Sequence, residues 1–413
     1  EYINLQAANF IVKFYKNNIK IDGVADDEEL RCAFNNVKVI LKRNMIKYQT
    51  KYPEEHAEKM RYTFDRFFLD AWHGGCWCGM YWMMYEAFHE MPFKRYAEEL
   101  CLQYYELINS QSIWHTDIGI LFLPMCVPDM RFNRSKEAKE ALVLAADCFL
   151  TKCAANVQNE NSKEFLTDKQ VKNRNGKKSG FNDLRKNMGG KISNLNNILI
   201  LMFAEKITGN RKYTSAGEKI LYNVLKNNID NSGRAFFLYS SGKKFDDTSL
   251  FNMEAHGGYT RAQAWALWGL SNLYTRLGSE KVYNYFFKCF DYLEKASCGK
   301  TVLKYCICGS DGDYDDSTST AIVLCSILEF IKSLPEESCE YKKLMKAAKR
   351  YMSGLLQCAA KPEELTEGLL DRGFILHATH EERGVKTSAT VSGDYFYVEA
   401  LMRCLYNWQP YWD

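Results

Sequence analysis

Side chains that could do chemistry cluster at six points of the chain, each at or just before the start of an apolar helical segment. Aspartates there could transfer a proton, and the free N–H groups of a helix N-terminus attract an anion such as a carboxylate. Aromatic residues beside these polar groups suit a sugar ring. The combination predicts a site that processes a sugar. The six clusters span residues 72–77, 115–119, 191–194, 256–261, 315–317 and 392–395.

Several of these residues also have plain structural interpretations. Asp117, Asp316 and Asp394 could be helix N-caps instead of ligands. Trp72 and Trp265 could be core residues. Arg261 opens a buried helix, where an unpaired charge is costly, so we expect a carboxylate partner in the protein or in a ligand.

The elements that must position these residues are helices. Apolar residues recur at helical spacing through most of the chain, and strand-like alternation is rare, which predicts an all-α fold. Six segments are apolar nearly all round and should therefore be buried, and helices with a polar face lie between them. We expect an (α/α)6 barrel of six inner and six outer helices, with the N-termini of the inner helices at one mouth. The inner segments span 74–88, 117–129, 194–207, 262–276, 316–331 and 393–408.

The same pattern favours one domain over residues 1–413, although about 150 residues per domain would suggest two or three. The longest polar segment, residues 158–191, is charged and contains glycine. It predicts a polar surface insertion, either disordered or a lid over the site.

The composition limits the kinds of partner and the cellular location that we expect for the protein. The net charge is 54 − 51 = +3, too small to indicate nucleic-acid binding. The richest apolar stretch, residues 321–331, is interrupted by Ser326 and Glu329, so we expect a soluble chain with no membrane span. The chain has 15 cysteines, an odd number, and most lie in apolar helical patterns, which favours reduced thiols and a cytoplasmic location.

Four segments resemble the signatures of one family. Residues 115–121, 259–269, 315–321 and 392–401 are similar, in order, to motifs of the unsaturated glucuronyl hydrolases, glycoside hydrolase family 88. The resemblance runs from about Asp70 to the C-terminus. It implies an (α/α)6 barrel that acts on acidic oligosaccharides left by a polysaccharide lyase with a 4,5-unsaturated uronic acid at the non-reducing end. It implies no metal and no organic cofactor.

The family's mechanism, as the resemblance implies it, is hydration of the C4=C5 double bond, after which the resulting hemiketal collapses and releases the rest of the sugar. Asp117 matches the family's first essential aspartate. The resemblance and the clusters at the helix starts together predict these substrate-binding residues: Trp72, Trp77, His115, His256, Tyr259, Arg261, Trp265 and Tyr395.

Three departures from the family pattern bear on catalysis. Ser193 stands where the family has a second aspartate, which usually acts as acid and base. A histidine expected near residues 234–239 is replaced by Phe237, and the loop between His256 and Arg261 is short. A serine hydroxyl cannot shuttle a proton near neutral pH as a carboxylate can.

The departures leave three hypotheses. The chain could be a divergent enzyme whose acid is Asp117, Asp183 or Glu254. It could be an engineered serine variant of an active enzyme, or a uronate-sugar-binding relative that is non-catalytic or has altered specificity. The sequence leaves sulfation preference, linkage and oligomeric state open.

Overall fold

Twelve α-helices, alternately outer and inner, dominate the described part of the chain. The computed structural model describes residues 20–63, 72–110, 117–158, 190–240, 243–245, 258–307, 314–374 and 387–413. None of the helices in these ranges is long and apolar enough to span a membrane. The helices are α1 (Asp27–Tyr48), α2 (Gly74–Phe88), α3 (Met91–Asn109), α4 (Ile118–Asn133), α5 (Lys136–Gln158), α6 (Asn194–Thr208), α7 (Lys212–Asn227), α8 (Thr260–Leu277), α9 (Glu280–Ser297), α10 (Ser317–Phe330), α11 (Cys339–Cys358) and α12 (Val391–Leu405).

The even-numbered helices are the inner ones. Every residue of α10 and of α12 is buried, as expected for segments that are apolar on all sides. An outer helix such as α9 buries only one stripe, in which Val282, Phe286, Cys289 and Leu293 recur at spacings of three and four. That spacing places the stripe on one face of the helix, against the inner ring.

The inner helices form a closed ring. Each packs against the next in the order α2, α4, α6, α8, α10 and α12, and α12 packs back against α2. The predicted (α/α)6 barrel is therefore confirmed. In this order α2 and α8 lie on opposite sides of the ring.

Two predicted helix ends differ from the structure. Helix α4 runs on to Asn133 although it contains Pro124 and Pro128. Helix α12 ends at Leu405 instead of continuing to Trp408. The chain then folds back, and the Trp412 ring packs edge-on against Trp268 with centroids 4.5 Å apart.

Two small antiparallel sheets accompany the ring. One has the order β1 (Gly190–Lys191), β2 (Leu238–Ser240), β3 (Lys243–Phe245), and the other pairs β4 (Gly373–Phe374) with β5 (Thr387–Ser388). Lys191 is paired with Leu238 in the first sheet. Residues 159–189 of the expected surface insertion lie outside the described residues, but its last residue belongs to this sheet, not to a surface loop.

Candidate active site

The N-termini of the inner helices meet at one mouth of the ring, as the sequence predicted. Side chains at several neighbouring helix starts bond to each other directly, which links the start of α4 to that of α6 and the starts of α8, α10 and α12 to one another. The bonded pairs are Asp117 with Ser193 (α4 and α6), Arg261 with Asp316 (α8 and α10), and Thr318 with Thr390 (α10 and α12).

Asp117 occupies the N-cap position of α4, but its carboxylate bonds to other elements. The Ser193 hydroxyl donates to Oδ1 at 2.6 Å, and Lys191 Nζ donates to Oδ2 at 2.7 Å. The Asp117 residue is 9% exposed. The position of the family's second aspartate is thus in contact with Asp117, and Ser193 can orient Asp117 without itself holding a transferable acidic proton.

Aromatic rings lie beside this group. Lys191 Nζ is 5.3 Å from the centre of the Phe237 ring, a cation–π distance. Phe237 in turn packs edge-on against Tyr259, with centroids 6.0 Å apart. The phenylalanine that replaces the family's histidine therefore borders the lysine, and Tyr259 links this group to Arg261, two residues along the chain.

Two tryptophans meet across the mouth. Trp72 precedes α2 and Trp265 lies on α8, on the opposite side of the ring, and their ring centroids are 6.3 Å apart. Trp72 is partly exposed. Trp77, the alternative to Trp72, is fully buried and packs edge-on against Tyr48 and Tyr62. Of the two, Trp72 is the one that can meet a sugar, and Trp77 is a core residue.

Arg261 has its carboxylate partner within the protein. Its Nε and Nη2 each lie 3.1 Å from an oxygen of Asp316, and Nη2 also donates to the Phe374 carbonyl. Burial alone would lower the pKa of Arg261, but the Asp316 carboxylate outweighs it and raises the pKa. The predicted bidentate edge of Arg261 is thus occupied by Asp316, and contact between Arg261 and a uronate stays a prediction.

Glu55 is a carboxylate of the mouth that the sequence analysis missed. Its charge acts on both Arg261 and His73. Burial lowers the pKa of His73, and the Glu55 carboxylate opposes that shift. His73 Nε2 lies 2.9 Å from the Pro53 carbonyl oxygen. Glu55 has no helical start or motif to mark it, because it lies in the irregular segment before α2.

Tyr395, the predicted site residue nearest the C-terminus, is surrounded by protein atoms. Tyr395 is fully buried, and its ring packs edge-on against Trp412 and Phe396. Tyr395 lies in the core of the helix ring, and its assignment to substrate binding stays a prediction. The neighbouring Asp394 is inside the first turn of α12, where Thr390 is the N-cap.

Asp394 anchors a loop, and its protonation should make the stability of the protein depend on pH. It accepts hydrogen bonds from the Tyr62 hydroxyl and from the Leu369 and Leu370 amides, at 2.9 to 3.0 Å. Burial raises the pKa of Asp394 to about 7, although these bonds oppose the shift.

The folded state therefore holds the Asp394 proton at a pH at which the unfolded chain has lost it. The free energy of unfolding should fall as pH rises from about 4 to 7, by at most ~1.4 kcal/mol per pH unit from this group. Asp394→Asn removes the titration, so denaturant unfolding of the variant should show a flatter slope over that range. Parallel slopes for the two proteins would exclude this role.

Four predicted or considered residues lie outside the described part of the chain: His115, Asp183, Glu254 and His256. Their assignments stay predictions. Lys191 is a further residue of the mouth to which the sequence analysis assigned no role. Its spacing of two from Ser193, at the end of a strand, was the available signal.

Comparisons with known proteins agree with this architecture. No family model matches the sequence. The chain is 27% identical over 399 residues to an unsaturated chondroitin disaccharide hydrolase of Streptococcus pneumoniae, which covers 93% of this chain and 94% of that protein. It is 23% identical to an unsaturated glucuronyl hydrolase of a Bacillus species, strain GL1, over 92% of this chain and 98% of that protein.

Solved structures show the same fold. An unsaturated glucuronyl hydrolase variant from Streptococcus agalactiae aligns with a TM-score of 0.77 at 22% identity, over 100% of this chain and 98% of that one. The enzyme from Bacillus sp. GL1 aligns with a TM-score of 0.75 at 20% identity, over 93% and 98%. The chain is thus similar to the unsaturated glucuronyl hydrolases over nearly the whole length of these relatives, and it shares their fold, a closed ring of six helix pairs.

Proposed function

We propose that the protein hydrolyses oligosaccharides that end in a 4,5-unsaturated uronic acid, by adding water across the C4=C5 double bond. The observation that supports this best is the Asp117 carboxylate, nearly buried at the mouth and held between Lys191 and Ser193. The Trp72–Trp265 pair at the same mouth offers rings for a sugar to pack on. The relatives named for this activity match the chain over more than nine-tenths of its length.

Asp117 must carry out both proton transfers in this scheme, because Ser193 replaces the second carboxylate. Its carboxyl proton goes to C4, and the electron pair of the double bond forms the new C4–H bond. Water then adds its oxygen to C5 and loses a proton to the same carboxylate. The hemiketal opens by cleavage of the bond between C5 and the ring oxygen, which leaves a ketone at C5 and a hemiacetal at C1. That hemiacetal breaks down to an aldehyde, and the rest of the oligosaccharide leaves from C1 as an alcohol. The net reaction consumes one water, and Asp117 ends with its proton restored.

Further features of the protein belong to the same proposal. Residues 1–413 would form one catalytic domain, with a polar insertion that ends at β1. A polysaccharide lyase would supply the acidic oligosaccharide. We infer a cytoplasmic location from the thiols, because 13 cysteines in the described part of the chain are free.

Loss of absorbance from the C4=C5 bond tests the proposal. We expect the purified protein to remove this absorbance from at least one member of a panel of unsaturated uronyl disaccharides that differ in linkage and sulfation. A heat-denatured sample is the control. If every disaccharide keeps its double bond while calorimetry detects binding, the protein is a sugar-binding relative and the proposed hydrolysis is wrong.

Ser193→Asp should raise turnover. The Ser193 hydroxyl is 2.6 Å from Asp117 Oδ1, so a carboxyl group at this position can share a proton with Asp117. A positioned general acid or base contributes about 10²–10⁴-fold, and we expect kcat to rise by up to about 10²-fold because Lys191 is already placed for a single carboxylate. Ser193→Asn, which matches the size without the acid, is the control. Equal rates for the two variants would exclude an acid role at position 193.

A further inference from the structure

Five aromatic rings form a continuous column that leads from the mouth into the interior of the protein. At the mouth, Trp265 meets the partly exposed Trp72. Trp265 also packs edge-on against Phe396 on α12 and against Trp268 one turn along α8, with centroids 5.6 and 6.5 Å apart. Both of these rings pack on Trp412, which follows α12, at 6.5 and 4.5 Å. Because Trp268, Phe396 and Trp412 are fully buried, the column joins the pair at the mouth to the core.

Trp412 is fixed at the end of α8 that lies away from the mouth. Its indole N–H donates to Glu399 Oε2 on α12 at 2.8 Å, and its carbonyl accepts from Arg276 in the last turn of α8. Arg276 also pairs with the Asp413 carboxylate at 2.9 Å. A helix rises about 1.5 Å per residue, so Arg276 lies roughly 16 Å along α8 from Trp265. The two helices that carry the column therefore also hold its inner end.

Glu399, the acceptor for the Trp412 indole, is itself held by buried charges. Its Oε1 accepts from Arg403 Nε at 2.9 Å and from Nη2 at 2.7 Å, and Arg403 also pairs with Glu329 on α10. All three side chains are at most 3% exposed. Any large movement would leave a buried charge unpaired, which is costly, so the Glu399 carboxylate is a fixed acceptor. Residues 392–401, the last of the family-like segments, thus supply an anchor for Trp412.

We propose that Trp412 is a positioning residue, which holds the Trp72–Trp265 pair in place for the sugar from inside the ring of helices. This inference rests on the proposed function, in which that pair offers rings for the sugar to pack on. Protein interiors are close-packed and transmit displacements, so a cavity in place of the Trp412 indole would let Phe396 and Trp268 shift toward it. Trp265 would then lose its support, and the pair would no longer meet the sugar in one arrangement.

The effect of Trp412 should fall on binding and not on proton transfer. The aromatic rings that pack on Trp412 lie on α8 and α12, whereas Asp117 lies at the start of α4 and bonds to Ser193 before α6. An interaction made equally in the ground state and the transition state changes KM and leaves kcat unchanged. A general loss of stability lowers the amount of folded enzyme, and thus the apparent kcat, without changing KM. The two kinetic constants therefore distinguish positioning from simple stabilisation.

Kinetics of Trp412 variants with an unsaturated uronyl disaccharide test the inference. Trp412→Leu should raise KM by about 10-fold, less than the roughly 10²-fold that a misplacement of about 1 Å can cost, and should keep kcat within about 3-fold of the wild type. Trp412→Phe keeps a ring and leaves a smaller cavity, so it should remain folded and raise KM by only about 3-fold. In a Trp265→Leu background neither change should raise KM much further, because the ring through which Trp412 acts is already absent.

Binding without turnover is measured in parallel by calorimetry with a saturated glucuronyl disaccharide, which has no C4=C5 bond to hydrate. Its Kd should follow KM in every variant. Trp82→Leu is the matched control, because Trp82 is also fully buried on an inner helix but packs on Phe132 and Tyr85. It should lower the melting temperature and leave KM and Kd unchanged.

Three results would overturn the inference and leave the proposed function standing. Both Trp412 variants could keep the wild-type KM and Kd, Trp82→Leu could raise KM as much as Trp412→Leu does, or the effect of Trp412→Leu could be the same with and without Trp265. If the wild type binds the saturated disaccharide but hydrates no unsaturated one, the proposed hydrolysis is wrong and the Kd values alone decide on Trp412. A wild type that neither binds nor hydrates any uronyl disaccharide would overturn both.

Discussion

Asp117→Asn should abolish turnover of unsaturated uronyl disaccharides while the protein remains folded. Asparagine keeps the shape of the side chain and an oxygen that can accept from the Ser193 hydroxyl, which now lies 2.6 Å away. It has no acidic proton to give to C4. Removal of a general acid or base typically slows a reaction by about 10²–10⁴-fold, roughly 3–5 kcal/mol of barrier. Because one carboxylate serves both proton transfers here, we expect the upper end of that range in kcat.

A neighbouring aspartate provides the control for this variant. Asp315 lies at the same mouth, one residue before Asp316, and pairs with Lys304. Asp315→Asn should keep kcat within a few-fold of the wild type. Circular dichroism and thermal unfolding establish that both variants are folded. If Asp117→Asn turns over at the wild-type rate, Asp117 has no part in the mechanism and the site loses its central member.

The ring of helices could be predicted because its signal is carried by whole segments. A helix that is apolar on all sides, such as α10 or α12, has only one stable place, inside the protein, and six of them in one chain require a ring or bundle. The ends of the helices were less certain. Helix α4 continues through two prolines, and the chain after α12 turns so that Trp412 packs on Trp268. Both outcomes depend on tertiary contacts, which a local sequence pattern does not contain.

The site could be predicted only in part, for the same reason. Its location at the helix starts could be predicted from the direction of the inner helices alone, because helices that run the same way have their N-termini at the same end of the ring. The bonds within it depend on partners far apart in the chain. Lys191 is 74 residues from Asp117, and Arg261 is 55 residues from Asp316. No spacing rule connects such pairs, so Arg261 was assigned to the sugar and Lys191 was overlooked.

Among the ion pairs in the described part of the mouth, the Arg261–Asp316 pair should be the most costly to break, because both side chains are nearly or fully removed from water, at 7% and 0% exposed. Asp316 also accepts from the Phe374 amide and the Ser319 hydroxyl, so it joins α8, α10 and β4. Breaking a buried pair by removing one charge leaves the other uncompensated, which typically costs about 3–5 kcal/mol.

Asp316→Asn should therefore lower the free energy of unfolding by about 3–5 kcal/mol, measured by denaturant titration, because it leaves the buried Arg261 guanidinium without an anion. The partly exposed neighbour Asp315 gives the comparison, and Asp315→Asn should cost less than about 1 kcal/mol. The double variant Arg261→Met, Asp316→Leu should recover part of the loss, since two apolar side chains leave no unpaired charge, although the Phe374 amide still lacks its acceptor. If Asp316→Asn is as stable as Asp315→Asn but binds the acidic disaccharide more weakly, the guanidinium is free to serve the sugar, and the original assignment of Arg261 to the substrate is right.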